Sequence, residues 1–356
     1  MKKTMEIITA VLFCGFLFTM GILYFLLPEA EFSQKEKRNL EEKPAFTLET
    51  VLTGTWGEKT ESYLADHMPG RDFFVGLNAY FDLFTGRQKA KDIWKDGDCL
   101  LEAPVSWDQK AAAKNLRSME ALQKKTELPM DLMIIPSAGF YHDFAQYQDE
   151  SIIKKIYDMA PKTMEKVDLT EVLDETCFYR TDHHWTSEGA FWAYGAYGKQ
   201  QGIPVREDFR KESIPGFQGS TYSRSGLWLT EGEPVELWTG TENLQVDIGE
   251  ENRTGVFWRE NLQEPDKYTV FLGGNHPLAR IHNPEKEGKL LVIRDSFSNC
   301  LGPFLAESFG EVVLVDLRYY KQPVSALCQQ ENFDRILVCY GLHNFMTDQN
   351  LVFLQR

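Results

Sequence analysis

The sequence predicts an α/β fold in which a mostly parallel sheet is covered by helices. Three features predict it: short apolar runs that alternate with helical segments, a long uncharged run at the N-terminus, and a turn-rich stretch between the halves of the chain. They add to the fold an N-terminal transmembrane helix and a loop-rich insertion. Hydrophobic residues make up 43% and charged residues 26%, the composition of a folded protein.

The N-terminal run, residues 7–27, carries no charged side chain. At about 1.5 Å per residue, a helix of this length crosses a hydrocarbon core of about 30 Å. A core helix or a cleaved signal peptide is the alternative, but no A-x-A-like site follows the run. We interpret it as a single-pass anchor and residues 1–6 as a cytoplasmic tail. Basic residues lie on both sides of the run, so charge alone leaves the orientation open.

The chain after the anchor divides into two parts. Residues 28–91 predict a juxtamembrane helical segment, with two helices separated by the turn at Pro69-Gly70. Residues 92–356 predict the main domain. Within it, residues 203–266 are turn-rich and predict the insertion.

In the main domain, apolar strand candidates alternate with amphipathic helices. Helices are predicted at residues 106–129 and 187–202. The strand candidates are residues 131–135, 289–293, 311–317 and 333–341. Strands that alternate with helices are typical of a parallel sheet buried on both faces.

Charge and cysteine content exclude several classes of function. The formal net charge is -15, with 53 acidic against 38 basic residues, and this field repels nucleic acid. The six cysteines form no C-x-x-C pair, so neither a disulfide scaffold nor a structural zinc site is indicated.

Ser296 lies between a predicted strand and a predicted helix that ends at Gly310. Ligand sites in open α/β sheets gather at this carboxyl edge. The N-terminus of the helix would offer unpaired N–H groups to a developing oxyanion. Ser296 is therefore a candidate nucleophile, and the alternative is that it only caps the helix.

A second candidate cluster is "TDHHW", residues 181–185. In an extended segment, residues i and i+2 point to the same side, so Asp182 and His184 are expected to face one cavity, with His183 turned away. His184 would act as the base for Ser296, and Asp182 would hold its tautomer. A zinc site of Asp182 and both histidines, or a satisfied polar core, are the alternatives.

Together, "TDHHWTSEGA" and "VIRDSFSNCLGPFL" resemble the DHHW family, relatives of the alginate O-acetyltransferases with an SGNH-hydrolase-like domain. The pieces "EKRNLEEKPAF", "ADHMPGRDFF" and "IIPSAGFYHD" extend the likeness over most of the chain. The resemblance implies an SGNH-hydrolase-like sheet, no cofactor, and an extracytoplasmic domain at the plasma membrane. It also implies a catalytic triad of Ser296, His184 and Asp182.

In such SGNH-like proteins, the oxyanion donors are the nucleophile's own N–H, a glycine and an asparagine. The stretch "VFLGGNHP" supplies Gly273, Gly274 and Asn275 after a predicted strand, and a simple β-turn is the alternative. Arg294 stands where these proteins usually have a glycine. It would place a cation beside the site, where it could bind an anionic substrate.

The first functional hypothesis is a membrane-anchored serine acyl-transfer enzyme outside the cytoplasm. The resemblance implies an O-acetyltransferase that acts on a cell-surface polysaccharide through an acetyl-serine, with acetyl supplied by a membrane-bound O-acyltransferase partner. A carbohydrate O-acetylesterase with the same triad is one alternative. A non-catalytic polysaccharide-binding or cell-envelope assembly protein is another.

Overall fold

The computed structural model of the protein describes residues 2–33 and 38–356. Residues 34–37, which belong to the predicted juxtamembrane segment, lie outside the described residues, as does Met1 of the predicted cytoplasmic tail.

The first of two compact units comprises the chain up to Lys91 together with Ser223–Leu229. Its elements are α1 (Lys2–Leu26), β1 (Phe32–Ser33), β2 (Arg38–Asn39), α2 (Leu48–Leu52), α3 (Thr55–Asp66), α4 (Arg71–Phe84) and β3 (Lys89–Ala90). Within α1, the 24 residues Lys3–Leu26 include an 18-residue stretch with a mean hydropathy of 2.2, so the helix is long and apolar enough to cross a membrane. Gly70, in the left-handed region with φ 68°, separates α3 from α4 at the predicted turn.

The second unit comprises Asp92–Tyr222 and Thr230–Arg356. Its strands are β4 (Ile93–Asp96), β5 (Cys99–Leu101), β6 (Met130–Ile135), β7 (Met164–Asp168), β8 (Arg210–Phe217), β9 (Glu233–Thr239), β10 (Gln245–Ile248), β11 (Glu251–Thr254), β12 (Leu278–His282), β13 (Lys289–Arg294), β14 (Glu311–Val315) and β15 (Arg335–Gly341). Its helices are α5 (Gln109–Thr126), α6 (Asp149–Met159), α7 (Ser187–Gln201), α9 (Ser298–Leu305), α10 (Val324–Gln330) and α11 (Leu342–Thr347). The short helix α8 (Ser220–Ser225) begins in this unit, and its residues from Ser223 onward belong to the first.

Eight strands form the central sheet of this unit, in the order β11-β10-β12-β14-β13-β15-β6-β7. The strands from β14 to β7 are parallel, while β12, β10 and β11 pair antiparallel at one edge. The prediction of a mixed α/β fold with a mostly parallel sheet is thus confirmed.

The central strand β13 explains why the sheet is covered on both faces. Leu290 and Val292 belong to the apolar cluster that includes residues of α7 and α9. Leu291 and Ile293 belong to the cluster that includes residues of α5, α6 and α10. Because successive side chains of a strand point to opposite faces, an uninterrupted apolar run needs a helical layer on each side.

The carboxyl ends of β13, β15 and β6 meet at one edge of the sheet. Arg294 of β13 pairs with Cys339 of β15, and Gly341 of β15 pairs with Ile135 of β6. Ser296 follows the first of these strands directly, so the fold brings it to this edge.

Three expectations from the sequence are wrong in detail. The helix after Ser296 ends at Leu305 rather than Gly310, two residues beyond Pro303, which has no N–H to donate. The segment just before Gly273 is a 3₁₀ helix, Lys267–Val270, and not a strand. Apolar residues at short spacing occur in both kinds of structure, so the pattern alone does not separate them.

The third expectation concerns the insertion at residues 203–266, which was predicted to be loop-rich. It contains the antiparallel pair β8–β9 and the hairpin β10–β11, and β10 extends the central sheet. Strand β8 escaped prediction because it is exposed at most of its positions, and β10 and β11 because they have only four residues each, so no apolar run marks them.

Candidate active site

The side chains of Asp182, His184 and Ser296 meet at the carboxyl edge of the sheet. The Nε2 atom of His184 lies 2.7 Å from Ser296 Oγ, and its Nδ1 atom lies 2.5 Å from Asp182 Oδ1. A carboxylate only accepts hydrogen bonds, so Nδ1 carries the proton and Nε2 accepts from the serine hydroxyl. All three residues are buried, with 7% of Ser296 exposed. The Ser296 hydroxyl therefore contacts a base and does not cap α9.

Burial and charge assign opposite protonation states to this pair. Burial lowers the pKa of His184, and the charge of His183 lowers it further, although Asp182 opposes the shift. Burial alone would raise the pKa of Asp182, but the charges of both histidines and the hydrogen bonds from His184 and Ser220 hold it well below its usual value. At neutral pH the pair is an ionised carboxylate and a neutral imidazole, the state that a general base requires.

The loop around Asp182 is not the extended segment that the sequence predicted. Phe178 and Trp185 pair with each other in an isolated antiparallel bridge. Residues 180–184, which lie between them, form bends. Asp182 Oδ1 accepts from the His184 backbone N–H at 2.9 Å as well as from its ring. Asp182 and His184 thus converge through an Asx turn, in which a carboxylate bonds a backbone two residues on, and not through strand alternation.

His183 does not turn away from the site. Its ring centroid lies 3.8 Å from that of His184, and its Nδ1 atom lies 2.6 Å from Ser220 Oγ. Ligand atoms of Asp182, His183 and His184 all lie within 4.8 Å of one another. The argument that adjacent histidines diverge is therefore wrong, because a bend replaces the strand. A metal at these atoms would have to replace the close contacts of His184 with Ser296 and of His183 with Ser220.

Residues of the predicted insertion hold the Asp182 loop. The backbone N–H of Ser220 donates to Asp182 Oδ2 at 2.6 Å. A Cβ atom added to Gly219 would lie 2.2 Å from Asp182 Cβ, so only glycine permits this approach. The buried carboxylate of Glu233 accepts from the backbone N–H groups of Arg180 and Thr181, at 2.9 and 2.7 Å.

The turn that carries Ser296 is held by Asp295. Its Oδ1 atom accepts from the backbone N–H of Phe297 at 3.1 Å, and its Oδ2 atom accepts from Gly341 N–H and Asn344 Nδ2, both at 2.8 Å. Asp295 thus ties the turn after β13 to the end of β15. Asp295 therefore stabilises the turn before Ser296.

The predicted oxyanion segment is a tight turn of unusual backbone conformation. Leu272, Gly273 and Gly274 have φ values of 55°, 69° and 95°, and the first is strained because leucine rarely adopts this region. The N–H of Gly274 donates to Phe271 O at 3.1 Å. It closes the turn instead of pointing at Ser296, so the expectation that Gly274 donates to an oxyanion is not met.

Asn275 and Ser296 supply the remaining donors of the predicted set. Asn275 is exposed at this edge, and its Oδ1 atom accepts from Asn299 Nδ2 at 3.1 Å. Within the described chain, no hydrogen bond uses the backbone N–H of Ser296. Both donors are therefore available to an oxyanion.

Arg294 does not lie where a substrate could reach it. Its side chain is 0% exposed, and its Nη1 atom donates to Asn299 Oδ1 at 2.6 Å and to Asn275 Oδ1 at 3.2 Å. The expectation that it binds an anionic substrate is therefore wrong. The long side chain folds into the interior beneath the turn because its partners lie there.

A cleft opens beside the cluster, lined in part by Asp182, His183 and Phe297. Polar side chains at the ends of β6 and β15 contribute to its wall: Ser137, His343 and Asn344. Pockets bounded by a few convergent polar groups are the usual places for small ligands or polymer ends. Asp182 of the cluster lines this cleft, whereas Ser296 and His184 are not among its lining residues.

The model of the DHHW protein family matches residues 148–315. The match spans a little under half of the chain. It contains the Asp182 loop, the strands β8 to β13 and the Ser296 turn. The resemblance predicted from "TDHHWTSEGA" is thus confirmed, and the cluster lies wholly inside the matched residues.

Solved structures are similar to this chain. A DHHW family protein from Eubacterium siraeum is 19% identical, with a TM-score of 0.65 over 74% of this chain and 94% of that one. Bacillus cereus PatB1 with a sulfonyl adduct is 18% identical, with a TM-score of 0.63 over 74% and 98%. The O-acetyltransferase domain of Pseudomonas putida AlgJ is 13% identical, with a TM-score of 0.44 over 73% and 96%. The sequence matches no curated protein.

Sequence reasoning missed several residues of the candidate site. The ring of Tyr268 stacks on His184, Gly219 and Ser220 contact Asp182, and Asn299 links Arg294 to Asn275. Only Asn299 carried a signal, because it lies three residues after Ser296 in the first turn of the predicted helix. The others act through contacts between distant parts of the chain.

Proposed function

We propose that this protein is a serine acyl-transfer enzyme that moves acetyl groups to or from hydroxyls of a cell-surface polysaccharide. The observation that supports it is the hydrogen-bond chain from Asp182 through His184 to Ser296. Acyl transfer needs a serine, a base within reach and an acid that orients the base. A protein that only binds polysaccharide has no need of this arrangement.

The first half of the reaction forms an acetyl-serine. Ser296 Oγ attacks the acetyl carbonyl while its proton moves to His184 Nε2, and Asp182 stabilises the imidazolium. The oxyanion that forms lies against Ser296 N–H and Asn275 Nδ2. Collapse breaks the bond to the donor's leaving group, which takes the proton from His184.

The second half discharges the acetyl group. A sugar hydroxyl attacks the acetyl-serine, His184 takes its proton, and collapse returns that proton to Ser296 Oγ. Water in place of the sugar would make the protein an O-acetylesterase. The preference for transfer, for acetyl and for polysaccharide follows from the sequence resemblance to relatives of the alginate O-acetyltransferases, as does a membrane-bound O-acyltransferase as the acetyl donor.

The same proposal assigns a location. Helix α1 would anchor the protein in the plasma membrane, with the unit that carries Ser296 on the extracytoplasmic side. The length and mean hydropathy of Lys3–Leu26 support the anchor. The polymer substrate supports the outward orientation, since cell-surface polysaccharides lie outside the cytoplasm.

A covalent label tests the nucleophile. Sulfonyl fluorides react with activated serines, and the full-length protein in detergent should gain one sulfonyl group at Ser296, located by peptide mass spectrometry. Ser296→Ala and His184→Ala should remain unlabelled. Ser298→Ala is the matched control, because Ser298 is buried two residues along the same turn, and it should label as the wild type does. Labelling that survives in Ser296→Ala would refute the proposal.

Acetyl transfer is measured next. Release of p-nitrophenol from p-nitrophenyl acetate, with and without polysaccharide acceptors, separates hydrolysis from transfer. A rate that rises with acceptor, together with acetylated polymer, identifies a transferase. A rate that ignores every acceptor identifies an esterase, and a wild type as inactive as Ser296→Ala favours the non-catalytic binding protein.

A further inference from the structure

Three polar side chains form a closed hydrogen-bond cluster beside Ser296. The Nη1 atom of Arg294 donates to Asn299 Oδ1 at 2.6 Å, and Asn299 Nδ2 donates to Asn275 Oδ1 at 3.1 Å. The same Nη1 atom also reaches Asn275 Oδ1, at 3.2 Å. Arg294 and Asn299 are 0% and 2% exposed, whereas Asn275 is exposed at the edge of the sheet.

The chemistry of arginine decides the direction of every bond in this cluster. A guanidinium has donors only, so Asn299 must turn its oxygen toward Arg294. The Asn299 Nδ2 group is then the one that faces Asn275. Because this group donates, Asn275 must accept with its Oδ1 atom. As a result, the NH₂ group of Asn275 points away from Arg294 and Asn299.

The shape of the Asn275 carboxamide does not by itself determine which way its NH₂ group points. The two ends of an asparagine side chain are nearly the same size, so packing alone accepts either orientation. Only the hydrogen-bond partners distinguish them. The donor-only partner is buried, and its position does not depend on substrate.

Burial of the Arg294 guanidinium is energetically unfavourable unless its charge and its donors are compensated. Its Nε and Nη2 atoms have no hydrogen-bond partner among the residues that the structure describes. The buried carboxylates of Asp316 and Asp295 provide the nearby opposite charge. Nη1 makes its two closest contacts with Asn299 and Asn275, so the polar interactions of this side chain converge on the asparagine pair.

The orientation of Asn275 matters for the chemistry at Ser296. An NH₂ group that faces a developing oxyanion stabilises it, and loss of one such donor typically lowers kcat by about 10²–10³-fold. A flipped carboxamide would present an oxygen to the oxyanion instead, which is repulsive. The orientation of the Asn275 carboxamide thus determines whether this residue stabilises or destabilises the oxyanion.

We propose that Arg294 is a positioning residue which, directly and through Asn299, orients the carboxamide of Asn275 so that its NH₂ group faces the oxyanion formed at Ser296. The inference rests on the proposed function and adds to it the residues that set the polarity of the oxyanion hole. Arg294 acts through Asn275 and does not touch the substrate.

Two substitutions separate this role from simple packing. Arg294→Met keeps an unbranched side chain in place of the aliphatic stem but removes the guanidinium donors. Asn299→Asp keeps an acceptor for Arg294, but it places a carboxylate oxygen against Asn275 Oδ1, so that the carboxamide must turn or move away. Each should lower kcat for p-nitrophenyl acetate by about 10–100-fold with little change in KM. Asn299→Asp should unfold at the wild-type temperature or above, because its new charge pairs with Arg294.

A double-mutant cycle with Asn275→Ala gives the decisive comparison. If Arg294 acts through Asn275, adding Arg294→Met or Asn299→Asp to Asn275→Ala should change kcat by less than about 2-fold. An equal loss of kcat in both backgrounds would overturn the inference. Arg259→Met, which removes a half-exposed arginine paired with Glu212, is the control and should keep wild-type kcat.

A second readout needs no catalysis. The side-chain amide signals of Asn275, assigned by their loss in Asn275→Ala, report its orientation in ¹⁵N-labelled full-length protein. They should shift or broaden in Arg294→Met and Asn299→Asp and stay unchanged in Arg259→Met. If they are unchanged in Arg294→Met, the inference is wrong. A wild type no more active than Ser296→Ala would refute the proposed function separately, and the amide signals would still decide the role of Arg294.

Discussion

His184 lies face to face with Tyr268: the two ring centroids are 3.9 Å apart, and the ring planes are within 7° of parallel. The Tyr268 hydroxyl reaches back to Ser296 O at 3.4 Å. The stack and the bond to Asp182 together restrict the imidazole, so that Nε2 is directed at the serine. Catalytic bases work only within a narrow range of geometry, and here a ring from a 3₁₀ helix provides half of the restraint.

Removing the Tyr268 ring should therefore reduce activity without touching a reacting atom. We expect Tyr268→Leu to lower kcat/KM for p-nitrophenyl acetate by about 10–100-fold, because the imidazole gains freedom to rotate. Tyr268→Phe keeps the ring and should stay within about 3-fold of wild type, since the hydroxyl contact is long. Equal losses in both variants would instead assign the effect to the hydroxyl.

The close approach of Gly219 to Asp182 gives a second prediction. In Gly219→Ala the new methyl group would lie 2.3 Å from Asp182 Oδ2, so the carboxylate must move. We expect kcat/KM to fall by about 100-fold, the usual penalty for a displacement of about 1 Å in a catalytic group. Gly195→Ala is the matched control: nothing lies within 4 Å of its added Cβ, and alanine favours the helix there. Wild-type activity in Gly219→Ala would contradict the prediction.

The pH profile of kcat/KM should report the lowered pKa of His184. Only the neutral imidazole can take the Ser296 proton, so activity is present above the pKa and is lost as pH falls through it. Because burial and the charge of His183 lower this pKa below its ordinary 6.5, the inflection of kcat/KM should lie below pH 6.5. An inflection above pH 6.5 would mean that another group controls the rate.

The same profile can be checked in His183→Gln. Since the charge of His183 lowers the pKa of His184, its removal should move the inflection to higher pH. Glutamine retains a polar group near Ser220, which limits the change to the charge. An unmoved inflection would assign the lowered pKa to burial alone.

Metal analysis addresses the ligand atoms of Asp182, His183 and His184. We expect prolonged treatment with a chelator to leave the rate of p-nitrophenyl acetate hydrolysis unchanged, because His184 serves as base through the atom that zinc would occupy. Added Zn²⁺ should inhibit, and His183→Gln should weaken that inhibition. Activity that is lost on chelation and restored by zinc would establish the metal site instead.

Sequence patterns predicted the parts of the site that depend on local order. Ser296 follows an apolar run that predicted a buried strand, and the carboxyl end of a strand in a parallel sheet lies at the edge where ligand sites gather. Asp182 and His184 were paired correctly in space but for the wrong reason, because a bend and not a strand brings them together. A short motif shows which polar side chains lie close together in the sequence. The backbone conformation that joins them depends on contacts with other parts of the chain.

The supporting residues carried little or no such signal. Tyr268 and Gly219 are ordinary residues of a turn-rich region, and their roles appear only where that region meets the Asp182 loop. Arg294 looked like a cation for a substrate, but burial beneath the turn makes it a partner of Asn299. Gly274 looked like an oxyanion donor, but its N–H closes a turn.

By itself, the sequence determined the alternation of strands and helices, the apolar N-terminal helix and the DHHW resemblance, because these depend on apolar periodicity and on short motifs. Only the tertiary structure decided that Ser296 and His184, more than a hundred positions apart, lie within a hydrogen bond of each other. It also decided which polar groups are free to meet a substrate. Both depend on burial and on partners from distant segments, which compete for each donor and acceptor only when the chain is folded.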